Sequence, residues 1–379
     1  HWVHRGDGRG GWRLEPARYR MLTSRCAGHL MPYGVAQMDN GEVVLVAGMQ
    51  DLDGGEYRCV AFVSGDGGDS WGEAIATGAY GRPLTFGYLG GGRVAFANEL
   101  LGKTPTPERR AQLYLSHDYG RTWEGRPYPL TTEDGRSVTS TEGQILAEAN
   151  AGGLRLWHLL VHFPATDWSR TPFGLYLRQS RDLGQTWPVE QRVDAWQYLV
   201  EHEGRRVPRG VSEGSLVRAA DGALVAAVRT DLPPRYWEQP HDDSLEGLGV
   251  SVSADDGQTW SPVRILFDAG RHHPALHRLA DGTLVMAYIV RVDVRDGALA
   301  SYCRGCEAVV SRDHGRTWDL AGRYVLDEFE YSQNDKWYNG MTGHLGSAVL
   351  ADGSLLTAYG NYHARGIGLI RWRPNSGSL

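Results

Sequence analysis

Cysteine is scarce in this chain of 379 residues, with only Cys26, Cys59, Cys303 and Cys306. So few exclude a small scaffold built on disulfides. Cys303 and Cys306 form a lone C-x-x-C. A structural zinc ion asks for four ligands and no second pair stands nearby. The expectation is therefore no metal and no cofactor, with these two thiols bridged to each other or free. No apolar run approaches the roughly 20 residues that a membrane-crossing helix needs. Positive charge is also short: 39 Lys and Arg face 45 Asp and Glu, for a formal net charge of -6. That removes the basic face on which a nucleic-acid binder depends. Long amphipathic helical patterns and low-complexity linkers are missing too. With 41% hydrophobic and 22% charged residues the composition is globular, which excludes wholesale disorder.

Glycine and the large aromatics are abundant, at 50 Gly, 13 Trp and 18 Tyr. Many tight turns and many flat side chains suit an all-β protein that handles sugars. A repeat makes the fold specific. Ser64-Gly-Asp66-Gly-Gly-Asp-Ser-Trp71 recurs as Ser116 to Trp123, Ser180 to Trp187, Ser253 to Trp260 and Ser311 to Trp318, with consensus S-x-D-x-G-x-T-W. Its Asp can accept backbone N–H groups, its Gly can take a positive φ, and its Trp can pack under a hairpin. The repeat length, roughly 60 residues, accommodates one four-stranded unit. A second repeat, a small turn before an aliphatic run, occurs six times, at Asp39, Gly90, Ala151, Ala220, Ala280 and Ala351. Together they predict an all-β chain, a single domain over 1–379, folded as a six-bladed β-propeller of four-stranded antiparallel blades. The sixth unit lacks the Trp motif and ends in Gly366 to Trp372. The segment Gly11 to Glu15 is expected to complete it and close the ring, since closure removes an exposed sheet edge.

The five motif copies resemble the Asp boxes, or BNR repeats, of the sialidase superfamily, and the resemblance spans nearly the whole chain. It implies that the boxes lie on the blade periphery and are structural. Chemistry is then expected where the innermost strands meet at a central mouth. Eight residues before the turn aspartates Asp221, Asp281 and Asp352 stand Glu213, His273 and His344. The same count reaches Pro32 and Pro83 in the first two units and the region of Gln144 in the third. Eight residues after Asp221 stands Arg229. Buried polar groups gathered at one mouth are costly unless used or paired. Asp51, Arg25 and Arg291 flank other inner strands. Trp337 and Tyr338 lie on the long 327–342 segment, where aromatic rings can stack on a sugar.

Sialidases clamp the substrate carboxylate with three arginines, and use a Tyr nucleophile activated by Glu and an Asp general acid. By this resemblance, Ser212-Glu-Gly-Ser-Leu-Val217 and Ala227-Val-Arg229-Thr match the segments bearing the Glu and the second Arg. Asp51 matches the acid and Arg304 stands near the third Arg. The first Arg is missing, Met31-Pro32 standing in its place, and His344 occupies the nucleophile position. This departure leaves three expectations open. The first is a hydrolase that removes a terminal acidic sugar, with Glu213 and His344 as the catalytic pair and Arg229 on the acidic group. There a nearby carboxylate would raise the His344 pKa and make it a proton donor. The second is a lyase acting on a uronate-containing polysaccharide through His and Arg chemistry, and the third a glycan-binding propeller without activity. The partner in each case is an oligosaccharide or polysaccharide, in a secreted or periplasmic setting or, alternatively, a cytoplasmic one. Oligomeric state is not legible.

Overall fold

The structure is a computed structural model. It describes residues 1–25, 27–99, 112–128, 143–150, 152–162, 170–239, 242–301, 303–330, 343–361 and 366–375. The described residues form strands and three short 3-10 turns, Asp194–Trp196, Pro234–Tyr236 and Asp242–Leu245, with no α-helix among them. Six antiparallel four-strand arrays follow in chain order. Their first strands are Ala27–Gln37, Arg82–Gly90, Leu146–Asn150, Val211–Arg218, Arg271–Arg278 and Leu345–Val349. Each runs into its second strand through one of the six small turns. Gly143–Gln144 pairs in parallel with both Arg82–Gly90 and Val211–Arg218, joining the second and fourth arrays into one sheet.

The Trp motif links the third strand of an array to its fourth, and its hydrogen bonds repeat from copy to copy. In the second array Ser116 Oγ donates to Asp118 Oδ1 at 2.9 Å. The N–H of Thr122 also donates to Oδ1, at 2.8 Å, and its hydroxyl to Oδ2 at 2.7 Å. Gly120 has φ +82°, a conformation that a side chain would strain. The Trp Nε1 of four copies donates to the motif Gly carbonyl. In the third copy the Trp187 ring packs instead against Tyr128 and His158.

The second strands of the fourth, fifth and sixth arrays are buried along their whole length, and successive side chains point to opposite faces, which places one apolar cluster between each pair of neighbouring arrays. Leu113 and Leu160 join the second and third, Leu177 and Leu224 the third and fourth, and Leu248 and Met286 the fourth and fifth. Ile289 and Ile370 join the fifth and sixth, and Val46 and Phe96 the first and second. Leu45 and Leu356 join the first to the sixth. The innermost strands approach closely at glycines. A Cβ added to Gly346 would stand 2.9 Å from the Gly34 Cα, so a larger residue there would force the strands apart.

The sixth array is completed by the N-terminal region, but not by the expected residues. Arg18–Thr23 pairs with Gly366–Trp372. Trp12–Pro16, which covers most of 11–15, instead forms a hairpin with Trp2–Gly6. That hairpin joins the outer strand Tyr324–Glu330 of the fifth array and makes it six-stranded. Both segments alternate in polarity, so pattern alone does not decide between two available edges.

Candidate active site

Two β-bulges aim the central side chains. Glu213 stands at the bulge between Ser212 and Gly214, and its side chain is buried. On the neighbouring strand Leu224–Thr230, Arg229 Nη1 donates to Glu213 Oε1 at 2.5 Å. The Nε side of the same guanidinium forms an ion pair with the fully buried Glu246. His273 lies in the bulge between His272 and Ala275 with φ +47°. A non-glycine residue held there costs about 1–3 kcal/mol, a strain that clusters at functional sites.

The protonation of His273 follows from its neighbours. Arg291 is buried just after Leu284–Val290, and its Nη2 donates to His273 Nε2 at 3.2 Å and to the Gly343 carbonyl at 3.3 Å. A guanidinium has no acceptor, so Nε2 carries the lone pair and Nδ1 the proton. Nδ1 stands 3.1 Å from Glu213 Oε2. The His344 ring centroid is 4.1 Å from that of His273 and 4.3 Å from that of Tyr33. Burial, and then the charges of Arg82, Arg291 and Arg229, push the His344 pKa well below its ordinary value. Burial, His344 and Arg291 do the same to His273, and burial and Arg229 to His272. Both adjoining imidazoles are thus neutral at pH 7. Two residues beyond Arg229, burial pushes Asp231 up to about 6, although its Oδ2 accepts from Gly210 N at 2.6 Å and Phe173 N at 3.3 Å.

Below these groups lies a cavity of about 60 Å³. Tyr33, Phe86, Gln144, Glu213, His273 and His344 line it, one from each successive inner segment. Its volume suits a few waters and falls well short of the roughly 300–1,000 Å³ typical of ligand sites.

With this geometry the chain compares with solved structures as follows. A Dyadobacter fermentans protein of unknown function superposes with a TM-score of 0.64 at 18% identity, covering 94% of this chain and 99% of that one. A Hadza microbial sialidase gives a TM-score of 0.60 at 16% identity, over 92% of this chain and 66% of that one. The intramolecular trans-sialidase of Ruminococcus gnavus gives 0.54 at 12%, over 93% and 95%. The fold is sialidase-like. No family model matches the chain, and no curated protein matches it. At these identities the likeness is one of fold.

Within this sialidase-like fold, the structure brings together Glu213, Arg229, His273, His344 and Arg291. The carboxylate that was expected beside His344 stands beside His273. His344 meets three arginines and burial, so its pKa falls where a rise was expected. Asp51 is bonded to Arg58 and partly exposed at the end of Val43–Asp51, and it does not line the central cavity. Arg25 is exposed in a turn. Arg304 is buried on Cys303–Ser311 and lines a different groove, on the fifth array. Trp337 and Tyr338 lie outside the described residues. Cys59 and Cys306 are buried and Cys303 is half-buried, all three as free thiols. Burial pushes Cys303 up to about 12. Sequence reasoning missed Tyr33, Arg82 and Glu246. The inner-strand count stopped one residue short of the first and one past the second, at Pro32 and Pro83. Glu246, just before Gly247–Ser253, carries no repeat signal.

Proposed function

We propose that the chain is one six-bladed β-propeller of the sialidase type and an enzyme that cleaves a terminal acidic sugar from a glycan by hydrolysis. The cyclic order of the six apolar clusters, with the sixth array packed on the first, supports the ring. The observation that carries the functional reading is the close approach of the tilted rings of His344 and His273, 4.1 Å apart, beside Glu213, with Arg291 on His273 Nε2, Arg229 on Glu213 and the Arg82 charge acting on His344. Guanidinium groups hold a carboxylate in fixed geometry. Neutral imidazoles within their field can accept a proton, and a carboxylate already oriented by Arg229 and His273 can support that transfer. In this reading the arginines bind the acidic group, His344 takes a proton from the attacking water as the glycosidic C–O bond breaks, that proton passes to the departing oxygen, and Glu213 holds His273 in place beside it. The activity points to a glycan-rich setting, such as a secreted or periplasmic one.

One observation favours a second route. Two neutral imidazoles beside an arginine cluster also suit removal of a proton next to an arginine-bound carboxylate, the first step of a lyase. Product analysis separates the two. The protein is incubated with sialylated and uronate-containing oligosaccharides and the products are followed by mass and ultraviolet absorbance. Hydrolysis adds water and gives a saturated acid. Elimination adds none and gives an absorbing, conjugated double bond. The proposal expects saturated product, lost in Glu213→Gln. Absorbing product would move the assignment to a lyase, and no cleavage of any acidic glycan would overturn both.

A further inference from the structure

The fifth array alone carries two additional outer strands, and they place apolar rings over a polar groove. Register defines the face. Tyr288 stands opposite Glu307, Glu307 opposite Val325, Val325 opposite His4, and His4 opposite Leu14. Residues opposite one another, or two apart along a strand, share a face. Trp2, Trp12 and Arg323 therefore join this row. Trp2 is 57% exposed, Trp12 50% and Leu14 57%. A groove of about 770 Å³ runs along the face. A neighbouring cavity lined by Ile265 and Phe267 of the fourth array shares Arg271, Asp293, Arg295 and Arg323 with it. Ile265 is 39% exposed, so apolar side chains flank the groove on both sides.

The floor of the groove is charged but matched. Arg271 Nη2 stands 3.3 Å from Glu307 Oε1, Arg323 Nε 3.4 Å from the same oxygen, and Arg295 Nε 3.1 Å from Asp293 Oδ2. The Arg323 guanidinium also lies 5.2 Å from the Trp12 ring centre, a cation–π distance that fixes the indole plane. Four arginines and four carboxylates line the groove, so it carries no excess positive charge for a polyanion, and a floor of ion pairs makes a poor seat for an apolar peptide. Flat indole faces beside fixed donors and acceptors of both kinds fit a chain of uncharged hydroxyls: the apolar face of a sugar ring lies on Trp, and its hydroxyls meet the pairs below.

We propose that this groove binds a neutral oligosaccharide segment, at a site separate from the arginine–histidine centre. Arg271 stands two residues before His273 on the same strand. The groove therefore begins near the mouth and runs outward, where it would hold the neutral part of a glycan whose acidic end is processed centrally. The proposal rests on the glycan reading of the centre for that connection, and its test makes no use of cleavage.

The Glu213→Gln chain is titrated with neutral four-unit oligosaccharides of the cello, xylo, galacto and chito series, by calorimetry and by tryptophan fluorescence. One series is expected to bind with a fluorescence change. Trp12→Ala in the same background should weaken binding at least tenfold, as expected when an aromatic anchor is truncated, and Trp12→Phe should retain most of it. Should Trp12→Ala lower the thermal midpoint, the exposed Arg295→Ala replaces it, with several-fold weakening expected. Absence of binding by all four series, or unchanged affinity in the folded variant, overturns the proposal. Failure of the central reading would show instead as wild-type protein that cleaves no acidic glycan.

Discussion

Neutral histidines at the centre predict how stability depends on pH, and the prediction needs no substrate. In the folded chain His272, His273 and His344 are held well below their ordinary pKa, mainly by burial. In the unfolded chain each titrates near 6.5. At pH 5 the unfolded chain therefore carries about three protons that the folded chain refuses, and His277, pushed down by burial to about 4, adds close to a fourth. Asp231 acts in the opposite sense: raised to about 6 when folded, it holds close to one proton that the unfolded chain has released. Burial raises Asp327 as well, with the same sign as Asp231. The histidine contribution is fully present above pH 6.5 and is lost as pH falls through 6 and 5. With Asp231 subtracted, the imbalance is about three protons, or about 4 kcal/mol per pH unit near pH 5, less what Asp327 takes back. The difference between two chains is cleaner than either slope, because the acidic groups cancel. His344→Gln should reduce the slope by about 1.4 kcal/mol per unit. Urea unfolding at pH 7, 6 and 5, wild type against variant, reads this directly. Equal slopes, or wild-type stability that rises as pH falls from 6.5 to 5, would mean that the imidazoles are charged in the folded state and would refute the reasoning.

Three further outcomes are expected. Glu213→Gln keeps the shape but loses the charge beside Arg229 and His273, and turnover on the responsive glycan should fall about 10²–10⁴-fold while the far-ultraviolet spectrum stays that of the wild type. Arg291→Met removes the donor on His273 Nε2 and a nearby positive charge, so the His273 pKa should rise and its proton should no longer be confined to Nδ1. Nitrogen-15 spectra of the ring check this, and an unchanged tautomer would count against the Arg291 contact. Asp118→Ala removes the acceptor of four bonds in a motif turn remote from the centre and should cost about 1–3 kcal/mol in thermal unfolding, with kcat unaltered.

How much of this was legible in the sequence depended on how local the physics is. The S-x-D-x-G-x-T-W turn is defined within eight residues, so its five copies announced five of the six arrays and the placement of their third and fourth strands. The first-to-second-strand turns were local too, and counting from them reached Glu213, His273, His344 and Arg229. The count lands on Glu213 and His273, both at bulges, yet it misses by one residue in the first two arrays, whose first strands also bulge. A bulge adds a residue and turns the side-chain phase, which is why Glu213 faces His273 and why Arg82 was overlooked for Pro83. Electrostatics escaped for a different reason. A carboxylate beside an imidazole suggests a raised pKa, but burial and three arginines drawn from three arrays reverse the sign, and sequence distance gives no hint of their meeting. The exchange of the two N-terminal strands was hidden because either one matches an open edge.

The central claim is that Arg82, Arg229 and Arg291 make a seat for a carboxylate above the paired histidines. It is tested most directly by calorimetric titration of Glu213→Gln with a panel of sialic and uronic acids and the methyl ester of each. The account predicts that at least one acid binds tenfold or more tighter than its ester, about 1.4 kcal/mol, and that Arg82→Ala erases the difference. Esters that bind as tightly as their acids, or a preference for the acid that survives Arg82→Ala, would contradict it.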